Sequence, residues 1–245
     1  MKTNHFQSQS SPRSVTDQCK RGDIERGLEK VIVVDTPGLF DTKTVSEEIR
    51  KEITKCITVS APGPHAIIYV LSLQTRLTKE EDDAFAEMEL MFGKELYNYV
   101  ILLFTGKDMI DREIDVFLAE LPPFFQKVLK KCKHRVIAFN NFDKTSDEEN
   151  KIQTDNLFKM IDTITSSGKR KYFCNQFIAD TEKLIKNEIE KLYQKAVSDG
   201  TSKDPNVLRS ALRDQIRDNI LIEGNHFKIL WRYVSNFFQR NCSIL

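Results

Sequence analysis

"VIVVDTPGLFDT", residues 31–42, joins a short run of apolar, mostly β-branched residues to a turn that contains proline and glycine. A short apolar run bounded by turn residues is typical of a buried strand. Of the residues that follow, Asp35 can hold Mg²⁺ through a water molecule, and Gly38 lets its N–H approach a phosphate closely. The stretch therefore predicts a strand that ends in a phosphate-sensing turn.

Three further apolar runs alternate with helical patterns, which predicts an α/β three-layer sandwich with a mostly parallel sheet. The predicted parallel strands are Val31–Val34, Ala66–Leu73, Tyr99–Phe104 and Arg135–Phe139. The predicted helices are Val45–Val59, Lys79–Phe92 and Asp111–Lys131. Thr78 and Glu81 predict a capping box for the second helix. The charged segment KTSDEEN, residues 144–150, is predicted to be a solvated loop.

The pattern changes after Gly168, where no further strand pattern occurs. Two amphipathic helical stripes follow, separated by the break SDGTSKDPN at 198–206. They fit either an antiparallel pair packed on the sheet domain or a dimerising arm, and the pattern leaves both open. We predict a disordered segment over 1–13, an α/β domain over 14–168 and a helical extension over 169–241.

The composition limits the kinds of partner and the cellular compartment that we expect for this protein. A formal net charge of +1 argues against nucleic acid as the main partner. From Lys169 onward, 14 Lys and Arg residues oppose 9 Asp and Glu residues, and a basic tail of this kind suggests an anionic surface as a partner. The five widely spaced cysteines fit a reducing compartment. No apolar run approaches the ~20 residues that span a bilayer, so we expect a cytosolic protein.

Two more predicted strands end in residues suited to a nucleotide. In an open α/β sheet, ligands bind beyond the carboxyl ends of the strands. The third predicted strand is followed by Thr105-Gly106-Lys107-Asp108, where a carboxylate can accept the two N–H donors on the edge of guanine. The fourth is followed by Asn140-Asn141, which suit polar contacts near a base. Three such turns in this order predict a nucleotide site.

These motifs resemble the immunity-associated GTPases, the GIMAP family. The resemblance covers roughly residues 14–192 and rests on VVDTPGLFDT (33–42), CITVSAPGPHAIIYVLSLQTRLTKEE (56–81), LFTGKD (103–108) and FNN (139–141). It implies a P-loop-GTPase-like fold, GTP or GDP as ligand, and Mg²⁺ held by Thr16, at the switch I position, and by Asp35, partly through water. The implied nucleotide-binding residues are Thr16, Asp35, Gly38, Thr105, Lys107, Asp108, Asn140 and Asn141.

The sequence departs from the family in lacking the phosphate loop, because GxxxxGK[ST] is matched nowhere. The first strand, phosphate loop and first helix of the fold are therefore missing. Their loss is expected to expose two apolar strand edges, at Val31–Val34 and Ala66–Leu73. Two explanations stay open: the sequence lacks an N-terminal segment of a complete relative, or it is a natural paralogue without the loop.

Two further departures concern the base and catalysis. Gly106 stands where a lysine usually covers the base, with Lys107 beside it; a register shifted by one would put Met109 in place of Asp108, and we prefer Asp108. Leu39 follows the switch glycine and cannot orient an attacking water as glutamine does. We therefore expect a guanine-nucleotide switch or scaffold with weak or absent hydrolysis. The alternative is a nucleotide-free interaction module.

The resemblance also implies a homo- or hetero-oligomer formed through the switch face. The last four residues, Cys242-Ser243-Ile244-Leu245, resemble a prenylation signal in which the terminal leucine favours geranylgeranyl. One lipid chain binds a membrane only marginally, so a second signal is expected. Aromatic and basic residues of the tail are candidates for it: Lys228, Trp231, Arg232, Tyr233, Phe237, Phe238 and Arg240.

We therefore expect a peripheral protein on the cytoplasmic face of a membrane. In cell fractionation, the wild-type chain is expected in the membrane fraction and Cys242→Ser in the soluble fraction, because the variant cannot accept a lipid. Equal partitioning of the two, together with an unmodified C-terminus in mass spectrometry, would contradict the lipid anchor.

Overall fold

A computed structural model describes residues 18–37, 47–140, 145–167, 171–200 and 204–221, with all side chains except those of residues 47–50, 80 and 167. The chain divides into two compact units, Met1–Gly63 with Cys174–Leu245 and Pro64–Phe173. The elements in chain order are β1 (Lys20–Arg26), β2 (Glu29–Asp35), α1 (Glu47–Val59), β3 (Ile67–Ser72), α2 (Lys79–Phe92), β4 (Val100–Thr105), α3 (Ile114–Ala119), α4 (Pro123–Lys131), β5 (Val136–Phe139), α5 (Asp147–Ser167), α6 (Gln176–Ser198) and α7 (Pro205–Leu221).

The unit Pro64–Phe173 contains a parallel sheet with the strand order β3-β4-β5. The register pairs Ser72 with Thr105, and Thr105 with Phe139, so the three strands end side by side. The central strand β4 is buried from Val100 to Phe104. The three strands confirm the predictions made from the apolar runs, and the burial of β4 is what a continuous apolar sequence indicates.

Aromatic side chains fill the space between this sheet and its helices. The Phe85 ring lies 4.2 Å from the Tyr69 ring and 5.9 Å from the Phe125 ring, between centroids. Phe104 of β4 lies 6.1 Å from Phe125 of α4. Each such ring contributes roughly 1.5–3 kcal/mol by its burial.

Helix α2 begins where predicted, at Lys79. Its Glu81 carboxylate accepts the Thr78 N–H at 2.7 Å, as a capping box requires.

Two local predictions were wrong in this unit. The single helix expected over Asp111–Lys131 is two helices, because Pro122 and Pro123 interrupt the backbone hydrogen bonds and begin α4. The loop expected over 144–150 is helical from Asp147. Ser146 accepts the Glu149 N–H at 3.1 Å, and the acidic first turn stabilises the positive end of the helix dipole. The charged segment therefore contains the start of helix α5.

The other unit begins with an antiparallel β1–β2 hairpin, which corrects two predictions. No strand was expected over 20–26, and Val31–Val34 was expected to be a parallel strand. The hairpin turn consists of Gly27 and Leu28, and only Gly27 has a positive φ, 62°, as in a type II′ turn. The Gly27-Leu28 pair was the available sequence signal for this turn. It was not recognised because the segment before it, KRGDIER, is mostly charged.

Helices α6 and α7 run antiparallel and pack on α1. Glu182 forms a bidentate ion pair with Arg213 at 2.8–2.9 Å, and Glu190 pairs with Arg209 at 3.1 Å. Between the helices lies an apolar cluster to which all three contribute. Its buried members are Val59, Ala61, Ile185, Ile189, Ile216 and Ile220. The two helical stripes therefore form an antiparallel pair, and this pair packs on α1 of the same compact unit.

A network of charges attaches the hairpin to α7. Arg21, whose side chain is 7% exposed, contacts Asp23 at 2.7 Å and Asp214 at 3.1 Å. Lys30 contacts the same two carboxylates at 2.9 and 3.2 Å. Burial alone would raise the pKa of both aspartates, but hydrogen bonds and the nearby cations outweigh it and hold each pKa below 3.8.

The two strand edges expected to be apolar are apolar in the structure. Among the described residues, β2 pairs with β1 and β3 pairs with β4, and neither strand has a second neighbour. Val33 on β2 is 41% exposed and Val70 on β3 is 60% exposed. No helix in the described ranges is both long and apolar enough to cross a bilayer.

The charge network predicts a pH-dependent contribution to stability. A carboxylate whose pKa is lower in the folded than in the unfolded state stabilises the fold at pH values above its unfolded-state pKa of 3.8. This stabilisation is lost as the pH falls through the folded-state pKa. Asp214→Asn is expected to lower the free energy of unfolding by about 1 kcal/mol at pH 7, a figure kept small because the carboxylate is partly exposed and screened.

Urea unfolding at pH 7, 5 and 3 measures this effect, and the difference between Asp214→Asn and wild type should shrink at the lowest pH. Asp218→Asn is the matched control, because Asp218 is 63% exposed and its contact to Arg21 is longer, at 3.4 Å. A difference that is constant with pH, or an equal effect of Asp218→Asn, would contradict the role of the network.

Candidate functional site

The turn after β4 is held by the end of β3. The Thr105 hydroxyl donates to the Leu71 carbonyl at 3.2 Å, and the Thr105 carbonyl accepts the Leu73 N–H at 2.9 Å. The hydroxyl and the carbonyl of Thr105 are therefore both used within the sheet. Thr105, predicted to bind nucleotide, lies in the predicted turn and acts there as an anchor.

Gly106 gives the turn its direction. Its backbone is left-handed, with φ 79° and ψ 34°, a conformation that costs other residues free energy. A Cβ at this position would lie 3.3 Å from Nε2 of Gln74, so the turn also passes close to the loop after β3. The Gly106 carbonyl then accepts the Met109 N–H at 3.0 Å, which closes a 3-10 turn over Lys107–Met109.

Lys107 and Asp108, both predicted to bind nucleotide, are exposed on this turn. Among the described residues, neither side chain has a hydrogen-bond or ion-pair partner. Met109, the residue that a shifted register would put in the acidic position, is 62% exposed and has no charged acceptor. An exposed carboxylate suits a planar pair of N–H donors, because both oxygens can accept in one plane.

Asn140 lies on the neighbouring loop, because Phe139 before it pairs with Thr105. Its backbone is clamped by Gln153 of α5: Oε1 accepts the Asn140 N–H, and Nε2 donates to the Asn140 carbonyl at 3.3 Å. Its side-chain amide donates to Glu149 Oε1 at 3.2 Å. Asn140 is thus positioned by α5, and its carboxamide is partly engaged.

Gln74, Glu149 and Gln153 were missed by sequence reasoning. Glu149 and Gln153 are four residues apart on α5 and so share one face of that helix, which is a signal that exists only once the helix is recognised. Because 144–150 was predicted to be a loop, the signal was not available. Gln74 carries no signal beyond its place after β3.

Asp35 ends β2 in the other compact unit. Its carbonyl accepts the Cys56 thiol at 3.7 Å. Burial, together with Cys19 and nearby carboxylates, raises the pKa of the Cys56 thiol well above its ordinary value, so this sulfur is a neutral donor. Cys56 is 4% exposed, as expected of a core residue. Thr16, Gly38, Leu39, Asn141 and Cys242 lie outside the described residues.

The chemistry of the described donors fits Mg²⁺ only in company with a nucleotide. No group of three or more His, Cys, Asp or Glu side chains within the described ranges is arranged to hold a metal ion. Mg²⁺ in phosphate sites is commonly bound by one or two carboxylates, by waters and by the phosphates themselves. Asp35 can supply one such carboxylate, and the ion would then supply charge neutralisation to the phosphates.

The chain matches the AIG1 family over residues 1–194. It is 34% identical to immune-associated nucleotide-binding protein 7 of Arabidopsis thaliana over 194 residues, which are 76% of this chain and 60% of that protein. It is 32% identical to protein 8 of the same series over 203 residues, 79% of this chain and 57% of that protein. The chain therefore spans about 60% or less of the length of these relatives.

A solved structure of a dimerization-deficient mutant of Toc33 from Arabidopsis thaliana has a similar fold. The TM-score is 0.52, the sequence identity is 16%, and the match covers 66% of this chain and 75% of that chain. At this identity the likeness concerns the fold alone. It confirms the predicted class, an α/β fold of the P-loop-GTPase type with C-terminal helices.

The geometry of Gly106 predicts an ordered set of substitution effects. Gly106→Ala is expected to lower the free energy of unfolding by about 1–2 kcal/mol, because alanine resists the left-handed conformation. Gly106→Asn should cost less, since asparagine adopts this conformation more readily. Thermal unfolding measures both.

Gln74→Ala combined with Gly106→Ala separates the two causes. Removing the Gln74 side chain relieves the 3.3 Å approach but leaves the backbone strain, so the double variant should recover only a small part of the loss. Full recovery would show that crowding, and not the backbone conformation, requires glycine here. A neutral Gly106→Ala would contradict both.

Proposed function

The chain belongs to the AIG1 family, and from this we propose that it is a guanine-nucleotide-binding switch or scaffold protein with little or no intrinsic GTP hydrolysis. Its relatives are named as nucleotide-binding proteins, which supports nucleotide as the ligand class. The finer assignments, to guanine and to weak turnover, rest on particular residues of this chain.

The observation that carries the proposal is the exposed Asp108 carboxylate on the turn after β4, which has no partner among the described residues. The N1–H and the exocyclic amine of guanine present two parallel donors, and a carboxylate accepts both at once. Such charge-assisted bonds are stronger than neutral ones. Adenine presents an unprotonated ring nitrogen at the corresponding place, so Asp108 would select against it. Lys107 is exposed beside it and offers a flexible cation to the face of the base.

The phosphate side of the proposal rests on Asp35, which would hold Mg²⁺ against the nucleotide phosphates with Thr16 and Gly38. Leu39 supports slow hydrolysis, because an aliphatic side chain cannot position a water for attack. The proposed role is therefore that of a protein whose bound nucleotide governs its contacts. A homo- or hetero-oligomer through the switch face follows as part of the proposal, as does membrane attachment through Cys242.

A second candidate function is a nucleotide-free interaction module. The observation that favours it is the lack of any GxxxxGK[ST] match in this sequence. Without that loop the phosphates lose their nest of backbone N–H donors and the lysine that binds them. Titration of the 245-residue chain with fluorescent GDP separates the two candidates. Micromolar or tighter binding excludes the module, and no binding at millimolar nucleotide excludes the nucleotide switch for this chain.

A single substitution tests the base contact. Asp108→Asn replaces two acceptors by one acceptor and one donor, which match the N1–H and 2-oxo groups of xanthine. We expect GDP affinity to fall by about tenfold or more, with a corresponding gain for XDP, because each mismatched polar pair costs on the order of 1–3 kcal/mol.

Competition of GDP and XDP against a fluorescent nucleotide measures the exchange of preference. Asp111→Asn is the matched control, because Asp111 is also exposed, three residues away, and lies beyond the turn. Unchanged selectivity in Asp108→Asn, or an equal change in Asp111→Asn, would show that Asp108 does not read the base.

A further inference from the structure

We propose that Cys19 and Cys56 are a redox pair, which forms a disulfide when the glutathione pool becomes oxidised and returns to two thiols when the pool is reduced. The bond joins the residue before β1 to helix α1. It closes a ring that contains the whole β1–β2 hairpin and the turn predicted to sense phosphate, and it fixes α1 to the hairpin. The reaction needs no nucleotide, so it does not depend on the function proposed above.

Both cysteines lie at the same end of the hairpin. The Cys56 thiol donates to the Asp35 carbonyl at 3.7 Å, where β2 ends. Cys19 directly precedes Lys20, which is the register partner of Asp35 on the neighbouring strand. The two cysteines therefore approach the end of β2 from different elements, one from α1 and the other from the start of β1.

A second contact sets Cys19 against the face of α1 that carries Cys56. The Cys19 N–H donates to Glu52 Oε2 at 2.9 Å. Glu52 and Cys56 are four residues apart on α1, so they lie on the same face of the helix. The two thiols are within hydrogen-bonding reach of each other. Two thiols held this close on different elements are the arrangement that a disulfide requires.

The surroundings of the pair favour a slow and selective reaction. Cys19 is 7% exposed and Cys56 is 4% exposed, and both are thiols in the structure. Burial is the main cause that raises the pKa of the Cys56 thiol, so this sulfur reacts only when the unit opens locally. Closing then returns the two sulfurs to each other. In a reducing compartment the two thiols are the resting form, and the disulfide reports oxidation.

The reaction exchanges one disulfide for another. One cysteine, as the thiolate, attacks glutathione disulfide, forms a mixed disulfide with one glutathione and releases the other. The second cysteine loses its proton and attacks the protein sulfur of the mixed disulfide, which releases the second glutathione. Two cysteine thiols and one glutathione disulfide thus become one protein disulfide and two molecules of reduced glutathione, which carry the two protons and the two electrons.

Incubation of the 245-residue chain in mixtures of oxidised and reduced glutathione, followed by peptide mapping without a reductant, tests the pairing. We expect a Cys19–Cys56 bond in the folded chain, and dithiothreitol should break it. At a given glutathione mixture, the ratio of disulfide to dithiol should be about tenfold or more higher in the folded chain than in the urea-unfolded chain, because only the fold holds the two sulfurs together. This measurement uses the unaltered chain, so it does not depend on a variant that folds.

Two further measurements show what the bond does. Oxidation should raise the thermal unfolding midpoint by about 5 °C or more, because the ring restricts the unfolded chain. It should also slow amide hydrogen exchange in α1 by about tenfold or more, because the bond fixes that helix to the hairpin. Cys19→Ala and Cys56→Ala should each abolish both effects. Cys132→Ala is the matched control, because Cys132 is also a buried thiol but belongs to the other compact unit.

Each result decides the proposal. A Cys19–Cys56 bond that forms preferentially in the folded chain, raises the midpoint and is unaffected by Cys132→Ala supports it. A folded chain that forms no such bond overturns it, as does one that carries only glutathione adducts on single cysteines. Equal formation of the bond in urea, or a rise in the midpoint that persists in Cys19→Ala, overturns it as well. Unchanged hydrogen exchange in α1 after oxidation also overturns it, because the bond then fixes nothing.

Discussion

The backbone of β4 must find hydrogen-bond partners on both sides, because its residues are buried and water cannot replace them. Strands β3 and β5 meet this requirement in a parallel register. The register fixes where the three strands end, and hence places the loops after Ser72, Thr105 and Phe139 side by side. The candidate base-recognition turn is a consequence of this pairing, since Thr105 is tied to β3 by both its hydroxyl and its carbonyl.

The two compact units are stabilised by different physical effects. In the unit that contains β4, buried aromatic rings and a wholly apolar central strand dominate, and the polar residues gather at the strand ends. In the other unit, the hairpin is attached by a network in which Arg21 and Lys30 share Asp23 and Asp214. Salt and acid should therefore act on the second kind of contact more than on the first.

The turn that carries Asp108 is held in place by the parallel sheet. The carboxylate itself is exposed and has no described partner, yet the residues before it are fixed by Gly106 and by the tie to β3. Asn140 is fixed in another way, through Gln153 on the following helix. Side chains held by their supports lose less conformational freedom on binding, which favours affinity and selectivity.

The sequence by itself determined the strands of the parallel sheet, the α2 helix with its cap, the helical pair after Gly168 and the turn that presents Lys107 and Asp108. These features depend on local patterns: apolar runs, helical periodicity and glycine at a left-handed turn. The fold class also followed from them, because strand alternating with helix has few stable solutions.

Only the tertiary structure decided the rest. The segment KRGDIER is a strand paired with β2, and its Arg21 contacts Asp214, 193 positions later in the chain, a pairing that no local pattern contains. The hydrogen bonds between Gln153 and Asn140 exist only because α5 forms. The acidic first turn of that helix has a composition that is also typical of a loop. Local patterns indicate which side chains are buried in the fold. Long-range pairing decides where charges find partners and which strand edges stay open, because both depend on contacts that the folded chain alone brings together.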